Sequence, residues 1–285
     1  MSGWRKLGVI AGGGELPVVL AEHLAATQRP YFIARITPVA DAALEHHPGV
    51  SLGLGAMGGR LDALRAAGCD AVVLIGQVAR PDLKTLDLDD VARAMLPALV
   101  AAMPQGDDAL LRVLLNEHER AGFRVLGVEQ VMSDLLAPAG AWGAIAPNAA
   151  QMKDIAKAAR VAAASGAFDI GQAVVVCDGL VLAVEAQEGT DAMLRRVAEL
   201  PLTLRGASQA RRGVLLKRPK PIQERRIDLP TIGVRTIDGA SAAGLAGVAV
   251  EADGALAVRR ADLVAAANRA GLFVYGFTRA EIGET

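Results

Sequence analysis

Short uninterrupted apolar runs alternate with longer stretches in which apolar residues recur every three to four positions. Leu7–Ala11 is such a run; Gly12-Gly13-Gly14 breaks it, and helical spacing then covers Pro17 to Ala26. Pro17 suits a first helical turn, where a missing N–H costs little. Tyr31–Ile36 predicts a second strand, a Pro- and Gly-rich loop follows, and a helix near Arg60–Ala67 ends at Gly68. Ala71–Ile75 has no polar position, the pattern of a parallel strand buried on both faces. Helical spacing returns over Leu86–Met103 and Asp107–Arg120, before a strand at Phe123–Leu126. Strand alternating with helix implies right-handed crossovers and a parallel sheet. Residues 1–132 are therefore read as a Rossmann-like α/β domain.

Periodicity is lost over residues 133–148, SDLLAPAGAWGAIAPN, which are read as a linker. A second domain, 149–285, begins with a helix over Gln151–Ala164. Two apolar strands follow within Gly171–Gln187, joined at Asp178-Gly179, a type I′ hairpin signal. A helix over Thr190–Leu200 comes next, then the apolar segments Ile232–Ile237 and Ala246–Val258, the latter with another Asp-Gly turn at Asp253-Gly254. A helix at Asp262–Arg269 and a strand at Leu272–Phe277 close the chain. Hairpins mixed with helices make this half mixed α/β.

Composition narrows the class. At 285 residues, two domains are favoured, and 52% apolar against 21% charged residues supplies cores and no case for disorder. A net charge of −1 and only 3% aromatics argue against a nucleic-acid partner. Mean hydropathy is high at +0.33. Even so, Gly, Pro or charge interrupts every apolar run before the roughly 18–20 residues of a membrane span. Arg5-Lys6 ahead of LGVIAGG faintly imitates a secretory leader, but Glu15 and Pro17 arrive too early, and the chain is read as cytoplasmic. Cys69 and Cys177 have neither metal-site nor disulfide-framework spacing and are read as buried structural thiols.

The glycine turn at Gly12, Gly13 and Gly14 lies between a strand and a helix, where backbone N–H groups and the helix dipole can hold phosphate. As a dinucleotide fingerprint it is incomplete: Pro17 stands at the third glycine position. Arg35, not an acid, sits near the end of the second strand, which leaves NADP open and disfavours NAD. Gln77 and Arg80 follow another strand end. Asp107 and Asp108 open a helix; one is expected to cap it, leaving the other for a ribose hydroxyl or a metal. Glu185, Glu188, Thr190 and Asp191 cluster at a strand-to-helix junction. Capping accounts for part of that cluster, and the rest suits a phosphate or an oxygen-liganded Mg2+, with Glu185 and Asp191 as candidate ligands.

The densest charge lies in LKRPKPIQERRIDLPTIG. Lys217, Arg218, Lys220, Arg225 and Arg226 stand there against Glu224 and Asp228, and Pro219, Pro221 and Pro230 exclude a helix or a central strand. A solvated surface loop is the plain reading. The concentration of cations favours a stiff loop facing a phosphorylated ligand. No G-K-[ST], H-E-x-x-H or G-x-S-x-G is present, so P-loop, zincin and serine-hydrolase chemistry have no support.

With these residues laid out, the chain resembles the LpxI family, the UDP-2,3-diacylglucosamine pyrophosphatases of bacterial lipid A synthesis. The resemblance spans nearly the whole length. It rests on LGVIAGGGELP at the N-terminus, GDDALLR at 106–112, VVVCDGLVLAVEAQEGTDAMLRR at 174–196 and PKPIQERRIDLPTIGVRT at 219–236. Departures fall in the linker and the tail Arg279–Thr285 and put nothing catalytic in doubt. The resemblance implies two domains with the site in the cleft between them. It also implies Mg2+-dependent hydrolysis to 2,3-diacylglucosamine 1-phosphate and UMP, with attack at the sugar-side phosphorus, and an essential acid at Asp228.

Beside it, the residues suggest that the glycine turn, Gln77, Arg80, Asp107 and Asp108 hold the nucleotide. Glu188, Thr190, Gln223 and Thr231 join them as substrate-binding candidates. Lys217, Lys220 and Arg225 would offset diphosphate charge, with Asp228 as base or, preferably, metal ligand, because a carboxylate among cations stays ionised. Acyl chains imply peripheral contact with the cytosolic face of the inner membrane; a homodimer stays open. Two alternatives remain: an NADP-dependent oxidoreductase, and a nonenzymatic nucleotide or lipid carrier.

Overall fold

An aliphatic run without a polar break must be covered on both faces, and the first strand and its neighbours are. The computed structural model of the protein describes residues 3–284. It divides into two units: Met1–Ser133 together with Glu224–Asp228, and Asp134–Gln223 together with Leu229–Thr285.

The first unit contains β1 (Leu7–Ala11), α1 (Glu15–Ala26), β2 (Tyr31–Thr37), β3 (Gly49–Gly53), α2 (Met57–Ala66), β4 (Ala71–Ile75), α3 (Asp90–Ala102), α4 (Asp107–Arg120), β5 (Arg124–Val125) and α5 (Val128–Val131). Its strands form one sheet in the order β3-β2-β1-β4-β5, every pairing parallel. All five residues of β1 and of β4 are buried. Ile10, Leu61, Leu64, Val72, Leu74, Leu115 and Phe123 share a core against which Ile227 packs. The order reverses between β1 and β4, and such a switch point is where doubly wound sheets bind ligands beyond their strand ends. β3 falls in the stretch read as loop: with only five residues at the sheet edge, and with Pro48 before it, its pattern was too short to register.

The second unit carries β6 (Gly140–Ala141), α6 (Ala149–Gly166), β7 (Ala173–Cys177), β8 (Leu180–Val184), α7 (Gly189–Ala198), β9 (Val214–Lys217), β10 (Thr231–Ile232), α8 (Val234–Ala242), β11 (Gly247–Glu251), β12 (Leu256–Ala257), α9 (Arg260–Ala270) and β13 (Phe273–Phe277). Its main sheet runs β6-β13-β11-β9-β7-β8, parallel through β9, β11 and β13 and antiparallel at both margins. One face packs Leu215, Val248, Val250, Leu263 and Val274; the other packs Ile155, Val214, Leu216, Phe273 and Phe277.

Local signals explain several details. The β7–β8 hairpin turns through Asp178 (φ 50°) and Gly179 (φ 79°), both left-handed as a type I′ turn requires. Asn148 caps α6 by accepting from Ala150 and Gln151 N–H, and the Gln151 side chain returns to Asn148 N–H at 2.8 Å. The helix therefore starts before Gln151. Asp253-Gly254 makes no hairpin: β12 pairs in parallel with β10 instead. Ile232–Ile237 is mostly the start of α8, whose Ser, Gly and Thr content hid a helix that Ile237 and Ala240 bury. Within 133–148, β6 pairs with Tyr275 and Gly276.

Candidate functional site

The glycine turn is welded to the end of β4. Gly12 N–H donates to Ile75 O and Gly13 N–H to Gln77 O, each at 2.8 Å, and Gln77 N–H returns to Gly13 O. A Cβ at Gly12 would meet Gln77 O at 2.8 Å, so close backbone approach accounts for that glycine. Gly14, at φ 90°, turns the chain into α1. Two N–H groups expected to face phosphate are thus committed to the turn. A Cβ at Gly76 would lie 2.7 Å from Pro17 Cγ, so the close packing a third glycine would supply is made on the strand side. Arg35 is not available for a 2′-phosphate: it is buried, donating to Ser51 Oγ and to the carbonyls of Leu44 and His47.

At the start of α4 the expected cap is absent. Gly106 (φ 116°) precedes the helix and neither aspartate caps it. Asp107, half exposed, lies 3.9 Å from Arg80, whose guanidinium donates to Met103 O. Asp108 is buried and accepts from Arg112 Nε and from Glu224 N–H, both at 2.6 Å. It is an anchor for the segment carrying Asp228, not an unengaged nucleotide contact. Glu224–Asp228 then follows the length of α4. Glu224 lies 3.7 Å from Arg112, Arg226 donates to Glu119 at 2.8 Å, and Ile227 enters the core. Hydrogen bonding from Arg226 holds the Glu224 carboxyl below its ordinary range. Arg225 is exposed, and Asp228 N–H bonds Glu224 O at 3.2 Å.

In the second unit, Lys217 is buried at the end of β9, donating to Thr231 O at 3.1 Å. Arg218 is buried and paired with Glu251 and Glu284. Lys220, expected as a cation presented to a ligand, forms an ion pair with Asp169 in which both side chains are largely out of solvent. Gln223, also buried, accepts from Lys220 N–H and donates to Gln172. Thr231 Oγ1 donates to Leu229 O. At the α7 junction the acids are likewise occupied. Glu185, 6% exposed, accepts from Thr190 Oγ1 and Gln172 N–H. Glu188 pairs with Arg196, which lowers its pKa, and Asp191 pairs with Arg235 at 2.6 Å.

Among the described residues, no group of three or more His, Cys, Asp or Glu side chains could hold a metal ion. Glu185 and Asp191 are therefore not part of a preformed cage. The partners that sequence reasoning missed are Arg112, Asp169, Glu251 and Glu284; Arg112 is one helical turn from Asp108, but the other three lie far along the chain from the charges they neutralise, and only the fold brings them together.

Comparison with known proteins gives a consistent picture. The model for the LpxI N-terminal domain matches residues 6–135, and that for the LpxI C-terminal domain matches residues 138–275. The UDP-2,3-diacylglucosamine pyrophosphatase LpxI of Caulobacter vibrioides is 53% identical over 272 residues, covering 95% of this chain and 97% of that protein.

Proposed function

The chain belongs to the LpxI family and is a hydrolase acting on a phosphorus-containing anhydride, and we propose that its reaction is hydrolysis of UDP-2,3-diacylglucosamine to 2,3-diacylglucosamine 1-phosphate and UMP, a step of lipid A biosynthesis. Water adds to the sugar-side phosphorus while the bridging P–O bond breaks. The new oxygen stays on the lipid phosphate, and the bridging oxygen leaves with UMP.

The observation that carries the site assignment is the anchoring of Glu224–Asp228 in the unit that also carries the glycine turn. A carboxylate needed for chemistry gains from such attachment, because positioning errors of about 1 Å cost rate steeply. In this reading Gly14 and the start of α1, with Gln77, Arg80 and Asp107, bind the nucleotide. Arg225 and Lys217 offset charge on the diphosphate. The Lys217 ammonium has three donors, of which Thr231 O takes one. Lys220 and Asp108 serve as anchors.

Mg2+ is part of the proposal. Such an ion usually takes one or two carboxylates with substrate phosphates and waters, so Asp228 would hold it, and it would supply charge neutralisation on the diphosphate. The acyl chains bring the enzyme to the membrane surface as a peripheral protein; among the described residues no helix is long and apolar enough to cross a bilayer.

Incubation with UDP-2,3-diacylglucosamine and Mg2+ in 18O-labelled water tests the reading. The expected result is UMP release with label in the lipid phosphate. Label in UMP would move the attack to the other phosphorus, and binding without UMP would make the protein a carrier.

A further inference from the structure

The tail Arg279–Glu284, which carries no motif of the reaction, reaches into the basic segment. Arg218 is 5% exposed and is gripped by Glu284 through two parallel hydrogen bonds, Nη1 to Oε1 at 2.9 Å and Nη2 to Oε2 at 2.8 Å. Its Nη1 also donates to Ala159 O of α6, and its Nη2 lies 2.9 Å from Glu251 Oε2. The tail is built to arrive there. Ile282 is buried in the core formed by Ile155, Val214 and Phe277. Glu281 accepts from Tyr275 Oη at 2.5 Å and from Thr278 N–H at 2.7 Å, and Glu284 N–H returns to Arg279 O.

We propose that Glu284 is a positioning residue for the hydrolysis, a C-terminal clamp that acts through Arg218 to fix where the chain leaves β9 and so where Lys217 stands. The proposal rests on the hydrolase reading for its catalytic consequence. Along β9, Val214 and Leu216 face one core and Leu215 the other. Arg218 continues the first face, with its contact to α6, while Lys217 takes the opposite face with Thr231. Side chains alternate along an extended segment, so a shift by one residue would exchange the two cations between faces. Whatever locks Arg218 therefore locks Lys217.

Charge balance makes Glu284 the deciding member. Glu251 is shared between Arg218 and Arg279, the latter at 3.0 Å, so one carboxylate faces two guanidiniums. Glu284 supplies the second negative charge; without it Glu251 alone faces Arg218 and Arg279. Removing one partner from a buried ionic cluster is costly, so loss of Glu284 shifts Arg218 rather than leaving Glu251 to balance both guanidiniums in place. Glu284 lies beyond the segment that the LpxI C-terminal domain model matches, which ends at residue 275. The clamp thus belongs to the part of the chain that the family pattern does not describe.

Glu284→Gln removes the charge and keeps the shape. The expected result is a fall in kcat of about 10- to 100-fold with KM little changed, together with faster amide hydrogen exchange across residues 218–223. Glu284→Asp, which keeps the charge at shorter reach, should recover part of both, and a chain ending at Gly283 should behave as Glu284→Gln does. The exchange measurement needs no substrate, so it decides the clamp even if wild type releases no UMP and the hydrolase reading fails. Wild-type exchange at 218–223 in Glu284→Gln would overturn the proposal. So would an activity loss wholly explained by less folded protein with unchanged kcat per folded molecule.

Discussion

Lys217–Gln223 carries three cations and takes almost all of their side chains out of water, whereas Glu224–Asp228 carries two and leaves both partly or largely in contact with it. The stretches adjoin in sequence but belong to different units. In the first, each ion pair draws its acid from far along the chain: Asp169 for Lys220, Glu251 and Glu284 for Arg218. In the second, Arg226 pairs locally with Glu224 and across to Glu119. The lesson is that a run of cations need not be a surface offered to an anion. Here most of the charge fastens the segment at its two ends, and the chemistry falls to the few groups that fastening positions.

The largest effect should come from the acid at the end of the second stretch. Asp228→Asn is expected to lower kcat at least 100- to 1,000-fold, roughly what one lost electrostatic stabiliser costs, with substrate binding retained in equilibrium dialysis. Substantial remaining turnover would reduce Glu224–Asp228 to a strap. The next effect is on stability and belongs to the first stretch. Lys220→Met takes the ammonium away from Asp169, whose side chain is 6% exposed, and breaking a buried pair this way costs about 3–5 kcal/mol. Urea unfolding should show that loss, and adding Asp169→Asn should recover much of it. Asn is the suitable partner change because residue 169 sits at φ 56°, which Asn tolerates. Arg225→Ala should do the reverse, lowering activity with little loss of stability. If both variants lose the same property, the contrast fails.

Asp108→Ala comes next. It takes the acceptor from Glu224 N–H and one carboxylate from Arg112. An unsatisfied buried donor costs about 1–3 kcal/mol; kcat should fall while substrate binding holds, since the segment is loosened but its residues remain.

Much of this molecule was legible in the sequence. The all-apolar runs at Leu7–Ala11 and Ala71–Ile75, with helical spacing between them, specified a parallel sheet, and the Asp-Gly turn after Cys177 specified the hairpin. What stayed hidden depended on long-range neutralisation. Lys220 reads as an exposed cation until Asp169, 51 positions away, is folded against it. Asp108 reads as a helix cap because capping is a local rule; instead it pairs with Arg112 one turn on and accepts from the N–H of Glu224, 116 residues on. Arg35 fits a nucleotide rule by position, yet carbonyls around its own strand consume it. Residue type and spacing report local geometry well; they do not report which charges cancel.

The smallest expected effect is the response of the two stretches to acid and salt. Glu284 is held below the usual carboxylate range by hydrogen bonds from Arg218, and Glu224 by hydrogen bonds from Arg226. An unfolded Glu titrates near ~4.3. With folded values below that, each contributes stability that is complete above about pH 4.3 and lost as pH falls through the lowered folded values. Both stretches should therefore stay fastened through pH 5 and loosen only in stronger acid, read as faster proteolysis at 218–228. Salt separates them. The Arg226 side chain is 36% exposed against 6% for Arg218, so about 0.5 M NaCl should screen the second fastening and scarcely touch the first. Cleavage near Arg226 should rise with salt at pH 5 while cleavage near Arg218 does not. Equal salt response at both positions would mean that the two stretches do not differ in how they hold their charges.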